Sequence, residues 1–276
     1  MSWSKLKTII IYILLLLNLF LLGLVGMNRL RARRYQDAAL TEVAAVLAHN
    51  NIQVGRETLP REMTLSAVVA ARDLTKEEQL IRAFLGDDAT ASASGGGLYL
   101  YEGRSVGGSA SFRGNGEFTV SYSVPQEQSG KPEDMMKRLD LDTGRVREEE
   151  DALTAEQRLN GVPVYAAGTA SQEAAGMTFF YNGQGQLTAV SGRLFLGKLS
   201  ADGEEGEPIS VSTGIMAFLG FIVDNGDVCR EIVGMTPVYR ASGDPVRLTP
   251  AWLIQTDTGG YFVDALTAEV SRAPAE

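Results

Sequence analysis

Residues Thr8 to Met27 read TIIIYILLLLNLFLLGLVGM, twenty positions without a formal charge. At about 1.5 Å of helical rise per residue, such a segment extends about 30 Å, the thickness of a bilayer's hydrocarbon core. The stretch predicts a transmembrane helix over 8–27. A cleaved secretory signal has a shorter apolar region, about 7–15 residues, followed by small residues at a peptidase site. Here the run leaves through Gly23, Gly26 and then Asn28-Arg29-Leu30-Arg31-Ala32-Arg33-Arg34, with no A-x-A pattern and no cysteine to lipidate. The expectation is therefore a retained single-pass anchor in the cell membrane.

Orientation stays open on charge alone. Lys5, Lys7 and the free amino group precede the span, whereas Arg29, Arg31, Arg33 and Arg34 follow it. A strict count slightly favours the following side as cytoplasmic. With the N terminus in the cytoplasm, only residues 1–7 would lie there, too few to fold or catalyse anything.

Outward from this segment the charge reverses. Six of the 25 basic residues and none of the 34 acidic ones lie in residues 1–34, which leaves 19 against 34 beyond, a net of −15. A surface so acidic repels phosphate backbones, and nucleic acid is excluded as a partner. The acidic run Arg147-Glu148-Glu149-Glu150-Asp151 reads as a solvated connector.

Cys229 is the single cysteine and His49 the single histidine. No intrachain disulfide framework is possible, and no H-x-x-x-H or C-x-x-C spacing offers a metal cluster. Cys229, within Gly226-Asp227-Val228-Cys229-Arg230-Glu231-Ile232-Val233, reads as a small apolar strand residue.

Beyond the anchor and a linker at 28–37, Leu40, Val43, Val46 and Leu47 follow helical spacing, with Asn50-Asn51 as the stop. A strand is expected over 64–71. Thr75 and Glu78 have capping-box spacing ahead of Leu80, Ile81, Phe84 and Leu85, which predicts a second helix ending near Gly86. After a Ser/Gly-rich turn over 92–97, alternating segments at 98–101, 109–113 and 118–122 predict an antiparallel meander. The second half predicts strands over 162–167, 177–182 and 187–196, an acidic loop over 202–207, and an apolar helix over 212–224. Three closing strands follow, over about 230–240, 246–255 and 260–264. Leu139–Val146 and Val263–Val270 share a short pattern that suggests two related halves. The fold class expected is α+β: one N-terminal transmembrane helix, then two tandem two-layer domains of antiparallel sheet packed with helices, over 38–147 and 148–276.

Enzyme signatures are absent, and neither a catalytic residue nor a cofactor site is expected. A serine triad would need His49, yet no G-x-S-x-G elbow accompanies it. Ser2-Trp3-Ser4-Lys5 has S-x-x-K spacing but adjoins the apolar run without an oxyanion scaffold. Asp140-Leu141-Asp142-Thr143-Gly144 reads as turn chemistry, with Asp accepting backbone hydrogen bonds and Gly taking a positive φ. Gly95-Gly96-Gly97 and Gly107-Gly108 lack the spacing of a phosphate cradle.

The two ends of the chain carry a resemblance. Met1-Ser2-Trp3-Ser4-Lys5-Leu6-Lys7-Thr8-Ile9-Ile10, followed by Ile13-Leu14-Leu15-Leu16-Leu17-Asn18-Leu19-Phe20-Leu21-Leu22, resembles the amino terminus of the YycI regulatory proteins of Gram-positive bacteria. Asn160-Gly161-Val162-Pro163-Val164, Pro250-Ala251-Trp252-Leu253-Ile254-Gln255-Thr256 and Gly260-Tyr261-Phe262-Val263-Asp264-Ala265 are similar to segments of the same family. The resemblance implies a non-enzymatic, extracytoplasmic regulator that binds a cell-wall sensor histidine kinase together with a sister YycH-like protein. A W…YFVDA hairpin also occurs in PepSY-like modules, so a tethered module that binds cell-wall polymer or inhibits a protease is the alternative.

Within the apolar run Asn18 is the one central amide. In hydrocarbon a carboxamide seeks a partner, and interhelical hydrogen bonds of this kind contribute about 0.6–2 kcal/mol. Ile11, Leu14, Asn18, Leu22 and Val25 share a helix face and form the candidate partner-binding surface. The competing reading has Asn18 bonded back to its own helix. Trp3 reads as an interfacial anchor and Trp252 as core packing.

Overall fold

A computed structural model describes residues 3–127, 131–167, 173–202 and 206–273, with backbone alone at 3–6, 8–10, 26, 28–33 and 56. The chain opens with one uninterrupted helix, α1 (Trp3–His49), 47 residues long, or about 70 Å at the usual rise. The linker expected at 28–37 is helix instead. Asn28 to Asp37 contains neither Pro nor Gly and carries four arginines with Leu30, Ala32 and Gln36, all good helix formers, so little opposes propagation. The helix stops where foreseen: Asn51 adopts a left-handed φ of 59° and Asn50 Nδ2 bonds Val46 O at 2.9 Å.

The single-pass anchor is overturned, and with it the cell-membrane placement that rested on it. Among the described residues no helix is long and apolar enough to cross a membrane. Positions 8–10 and 26 of the expected span lie outside the described side chains, as do Trp3 and the S-x-x-K serines.

After α1 come β1 (Gln53–Val54), β2 (Val68–Ala70), α2 (Leu74–Leu85), β3 (Thr90–Gly95), β4 (Leu98–Gly103), β5 (Gly108–Phe112), β6 (Glu117–Gln126) and α3 (Pro132–Arg138). Next are β7 (Asp142–Glu149), β8 (Ala152–Leu159), β9 (Val162–Ala166), β10 (Gly176–Tyr181), β11 (Leu187–Arg193) and β12 (Leu199–Ala201). The chain closes with α4 (Val211–Asn225), β13 (Glu231–Ser242), β14 (Val246–Thr256), β15 (Gly259–Asp264) and β16 (Val270–Arg272).

Two tandem antiparallel domains are not what forms. Among the described residues 16 strands join one mixed sheet, ordered β12-β2-β14-β13-β9-β8-β10-β11-β6-β5-β4-β3, with β1, β7, β15 and β16 attached alongside. Two pairings are parallel, β1 with β13 and β9 with β13. The chain interleaves: β1 and β2 start one end of the sheet, α2 to β11 build the other with β9 between them, and β12 to β16 return to the first. Position 147/148, the expected domain boundary, lies inside the β7–β8 hairpin, where Arg147 opposes Thr154 and Glu148 opposes Leu153. β9 joins the ends, pairing with β8 through Pro163 and Val162 and with β13 through Val164 to Ala166.

Each end has its own core. Leu80, Ile81, Phe84 and Leu85 of α2 and Met135 and Met136 of α3 pack on Phe112, Phe118, Val120, Met177 and Phe179. At the other end Leu40, Val43 and Leu47 of α1 pack with Ile215, Phe218 and Ile222 of α4 over Trp252, Ile254 and Val263. Burying each such side chain contributes about 1.5–3 kcal/mol. Trp252 is fully buried, as its alternating strand suggests. Gly214 lets α4 close over it, since a Cβ there would lie 3.2 Å from the indole Cδ1.

Local corrections have local causes. The N-cap of α2 is Asp73, whose carboxylate accepts from Thr75 N and Lys76 N at 3.1 Å, so Thr75 sits inside the helix. In the Asp-Thr-Gly segment the left-handed residue is Asp140, φ 58°, and not Gly144; Asp142 Oδ2 accepts from Gly161 N at 2.8 Å. The internal echo forms two different structures. Leu139–Val146 runs from α3 into β7, whereas Asp264–Ala268 is a turn in which Asp264 Oδ1 accepts from Leu266 N and Thr267 N. Residues 203–205 of the expected acidic loop lie outside the described residues.

Candidate functional site

The five residues proposed as a partner face, Ile11, Leu14, Asn18, Leu22 and Val25, lie on α1 within an apolar run that is exposed on every side over 11–25. Ile11 (62%), Leu14 (52%), Leu22 (72%) and Val25 (50%) expose more than half or half of their surface, and Asn18 is exposed with them. Asn18 does not extend outward without a partner: its Nδ2 donates to Leu14 O at 2.9 Å, one turn back. The carboxamide thus satisfies one donor within its own helix and retains an oxygen that accepts. His49, exposed at the end of α1, stands apart from this face.

A concave site lies where the two ends of the sheet meet. The cleft has a volume of about 570 Å³ and is walled by three turns. The β3–β4 turn contributes Gly95, Gly96 and Leu98; the β5–β6 turn, Arg113, Gly114 and Asn115; and the β13–β14 turn, Ala241 to Asp244. Ala167 after β9, Arg193 ending β11 and Val246 opening β14 complete it.

Strand register brings the charged groups together. Arg193 opposes Glu117 across β11 and β6. Arg113 N–H donates to Glu117 O at 2.8 Å on the next strand connection. Directly opposed residues share a sheet face, so Arg113, Glu117 and Arg193 form a row on the face opposite Phe112 and Phe118. Arg193 Nη2 stands 4.0 Å from Glu117 Oε2, with the arginine side chain 17% exposed. Its Nε is buried without a hydrogen-bond partner. Asn115 Oδ1 accepts from Glu117 N at 3.0 Å, which leaves its amide nitrogen as a donor.

Behind the cleft an ion pair fixes the β3–β4 turn. Arg72 Nε and Nη2 reach Glu77 Oε1 and Oε2 at 2.7 and 2.8 Å. Arg72 Nη1 donates to Gly97 O at 2.6 Å, and the guanidinium lies 4.9 Å from the Tyr99 ring centroid. Burial pushes the Glu77 carboxyl above its ordinary value, while the bonds from Arg72 pull it down and only partly offset that. Asp244 reaches across from the β13–β14 turn and seats its carboxylate where a side chain at Gly114 would stand.

Sequence reading missed this cleft. Arg113-Gly114-Asn115-Gly116 and Ser242-Gly243-Asp244-Pro245 are recognisable turns, but nothing in their spacing says that they converge from opposite ends of the chain. Among the described residues no group of three or more His, Cys, Asp or Glu could hold a metal ion. No family model matches the sequence, and no curated protein matches it.

Proposed function

We propose that this chain is a regulatory binding protein that engages a sensor histidine kinase, together with a sister protein of similar build, through the apolar arm of α1. The observation that carries the reading is the arm itself. Fifteen successive residues, Ile11 to Val25, are exposed on a helix that continues unbroken into the core at Leu40, Val43 and Leu47. A contiguous apolar surface of that size calls for a covering partner. The uninterrupted helix ties whatever binds the arm to the packing of α4. A polar residue inside an apolar seam specifies register, as a buried Asn does in a coiled coil, and Asn18 occupies that place. The terminal resemblance to YycI proteins supplies the identity of the partner.

Photo-crosslinking from Leu14 and Leu22 in cells tests the reading. A histidine kinase in the crosslinked product, diminished by Asn18→Leu, is the expected result. Crosslinks that never include a kinase remove the proposal, and unchanged crosslinking of the Asn18→Leu protein removes the role of Asn18.

A further inference from the structure

The cleft between the two ends of the sheet is independent of the α1 arm, and its chemistry is that of a ligand site. We infer that it binds a hydrophilic monocarboxylate, gripped by Arg193 and Arg113.

Arg193 is the principal group. Its side chain is mostly buried, its Nε has no partner, and its nearest carboxylate, Glu117, lies at the outer limit of an ion pair. A guanidinium presents five donors in a planar fork suited to a carboxylate, and here the fork is underused. Arg113, at the same level of the neighbouring strand connection, is exposed and lines the cleft. Glu117 lies between the two arginines and Asp244 on the opposite wall, and these two carboxylates repel a doubly charged phosphate more than a single carboxylate held in the guanidinium fork. Asn115 adds a donor. The volume lies within the usual range of small-molecule sites, about 300–1,000 Å³. Its mouth stays open because Gly95 and Gly96 carry no side chain; a Cβ at either would meet nothing within 4 Å. Since the walls come from both ends of the sheet, an occupant would clamp them together.

The test uses the full chain in a mild detergent that covers the α1 arm, with thermal unfolding and calorimetric titration as readouts. Glucuronate is the probe, glucose its neutral counterpart and inorganic phosphate the competing anion. Glucuronate should raise the unfolding temperature saturably and bind more tightly than phosphate, with glucose without effect. Arg113→Gln, at an exposed position, should weaken glucuronate binding about tenfold, the loss of a charge-assisted contact. Arg193→Gln, checked for fold by circular dichroism, should abolish it. Absence of saturable glucuronate binding, equal binding of glucose, tighter binding of phosphate, or undiminished binding in Arg113→Gln would each overturn the inference.

Discussion

Gln157 and Phe195 are joined by a closed pair of hydrogen bonds. Gln157 Nε2 donates to Phe195 O and Phe195 N donates to Gln157 Oε1, both at 2.9 Å. The glutamine is 1% exposed and lies in β8, while Phe195 follows β11 as the chain crosses to the other end of the sheet. A side-chain amide thus imitates a strand and satisfies the backbone at a point where the ladder stops. Gln157 N also donates to Ala175 O at 2.7 Å, which holds the start of β10 to the same place.

Gln157→Leu should therefore cost about 2–6 kcal/mol, since two buried backbone groups lose their partners at about 1–3 kcal/mol each. Gln157→Glu should be worse at neutral pH, because a carboxylate oxygen would face Phe195 O. It should recover in acid, where a protonated carboxyl can donate. Urea denaturation of both variants, with the slope unchanged, measures this; a loss below about 0.5 kcal/mol in Gln157→Leu would show that water replaces the amide.

The Arg72–Glu77 pair yields a pH signature. Glu77 is almost fully buried and its carboxyl already lies above the ordinary value. A group whose folded value is raised favours the folded state below its unfolded value and loses that contribution as pH rises through the folded value. Arg72→Met removes the charge that partly offsets burial and should raise Glu77 further. The variant should lose about 2–4 kcal/mol at neutral pH, discounted from the fully buried case because Arg72 is 24% exposed. Its deficit against the parent should shrink as pH falls through the raised value of Glu77. A deficit independent of pH would assign the loss to packing on Tyr99 instead.

Periodic elements were legible in the sequence and convergent ones were not. The faces of α2 and α4 and the strands β4, β5, β6 and β13 to β15 follow from apolar spacing, because burial on one side imposes it. β3 was hidden: Thr90-Ala91-Ser92-Ala93-Ser94-Gly95 is exposed throughout, and an edge strand with no buried face leaves no alternation to read. The continuity of α1 was masked by arginines that suggest a solvated linker, although they are good helix formers. The parallel pairing of β9 with β13 joins residues about 75 positions apart, and no local pattern records such a contact. The same holds for Arg113, Arg193 and Asp244, whose turns are individually ordinary.

Gly114 makes a prediction about how the two ends dock. Asp244 occupies the space beside it, and a Cβ at Gly97 would stand 3.2 Å from the same carboxylate oxygen. Gly114→Ala should displace the β13–β14 turn and cost about 1–3 kcal/mol as overpacking. Adding Asp244→Ala should restore most of that loss by making room. A double-mutant cycle on unfolding free energy checks it; strict additivity would mean that the methyl group is absorbed elsewhere.

The contact between Asp227 and Arg272 anchors the last strand. Arg272 Nη2 and Asp227 Oδ1 form a close ion pair, Arg272 Nε reaches Oδ2 at 3.2 Å, and Tyr261 OH donates to Oδ2 at 3.2 Å. Asp227 lies just past α4, so the contact ties the helix end to β15 and β16. The bonds from Arg272, then that from Tyr261, hold its carboxyl below the ordinary value despite some desolvation. A lowered folded value contributes stability above the unfolded value, and that contribution disappears as pH falls through the folded one. Arg272→Gln should bring the Asp227 titration, followed by NMR, back toward the ordinary carboxylate range. The stabilities of parent and variant should differ at neutral pH and converge in acid. Curves that stay parallel down to full protonation of Asp227 would show that the pair contributes nothing through charge, and that β16 is held by its ladder with β15 alone.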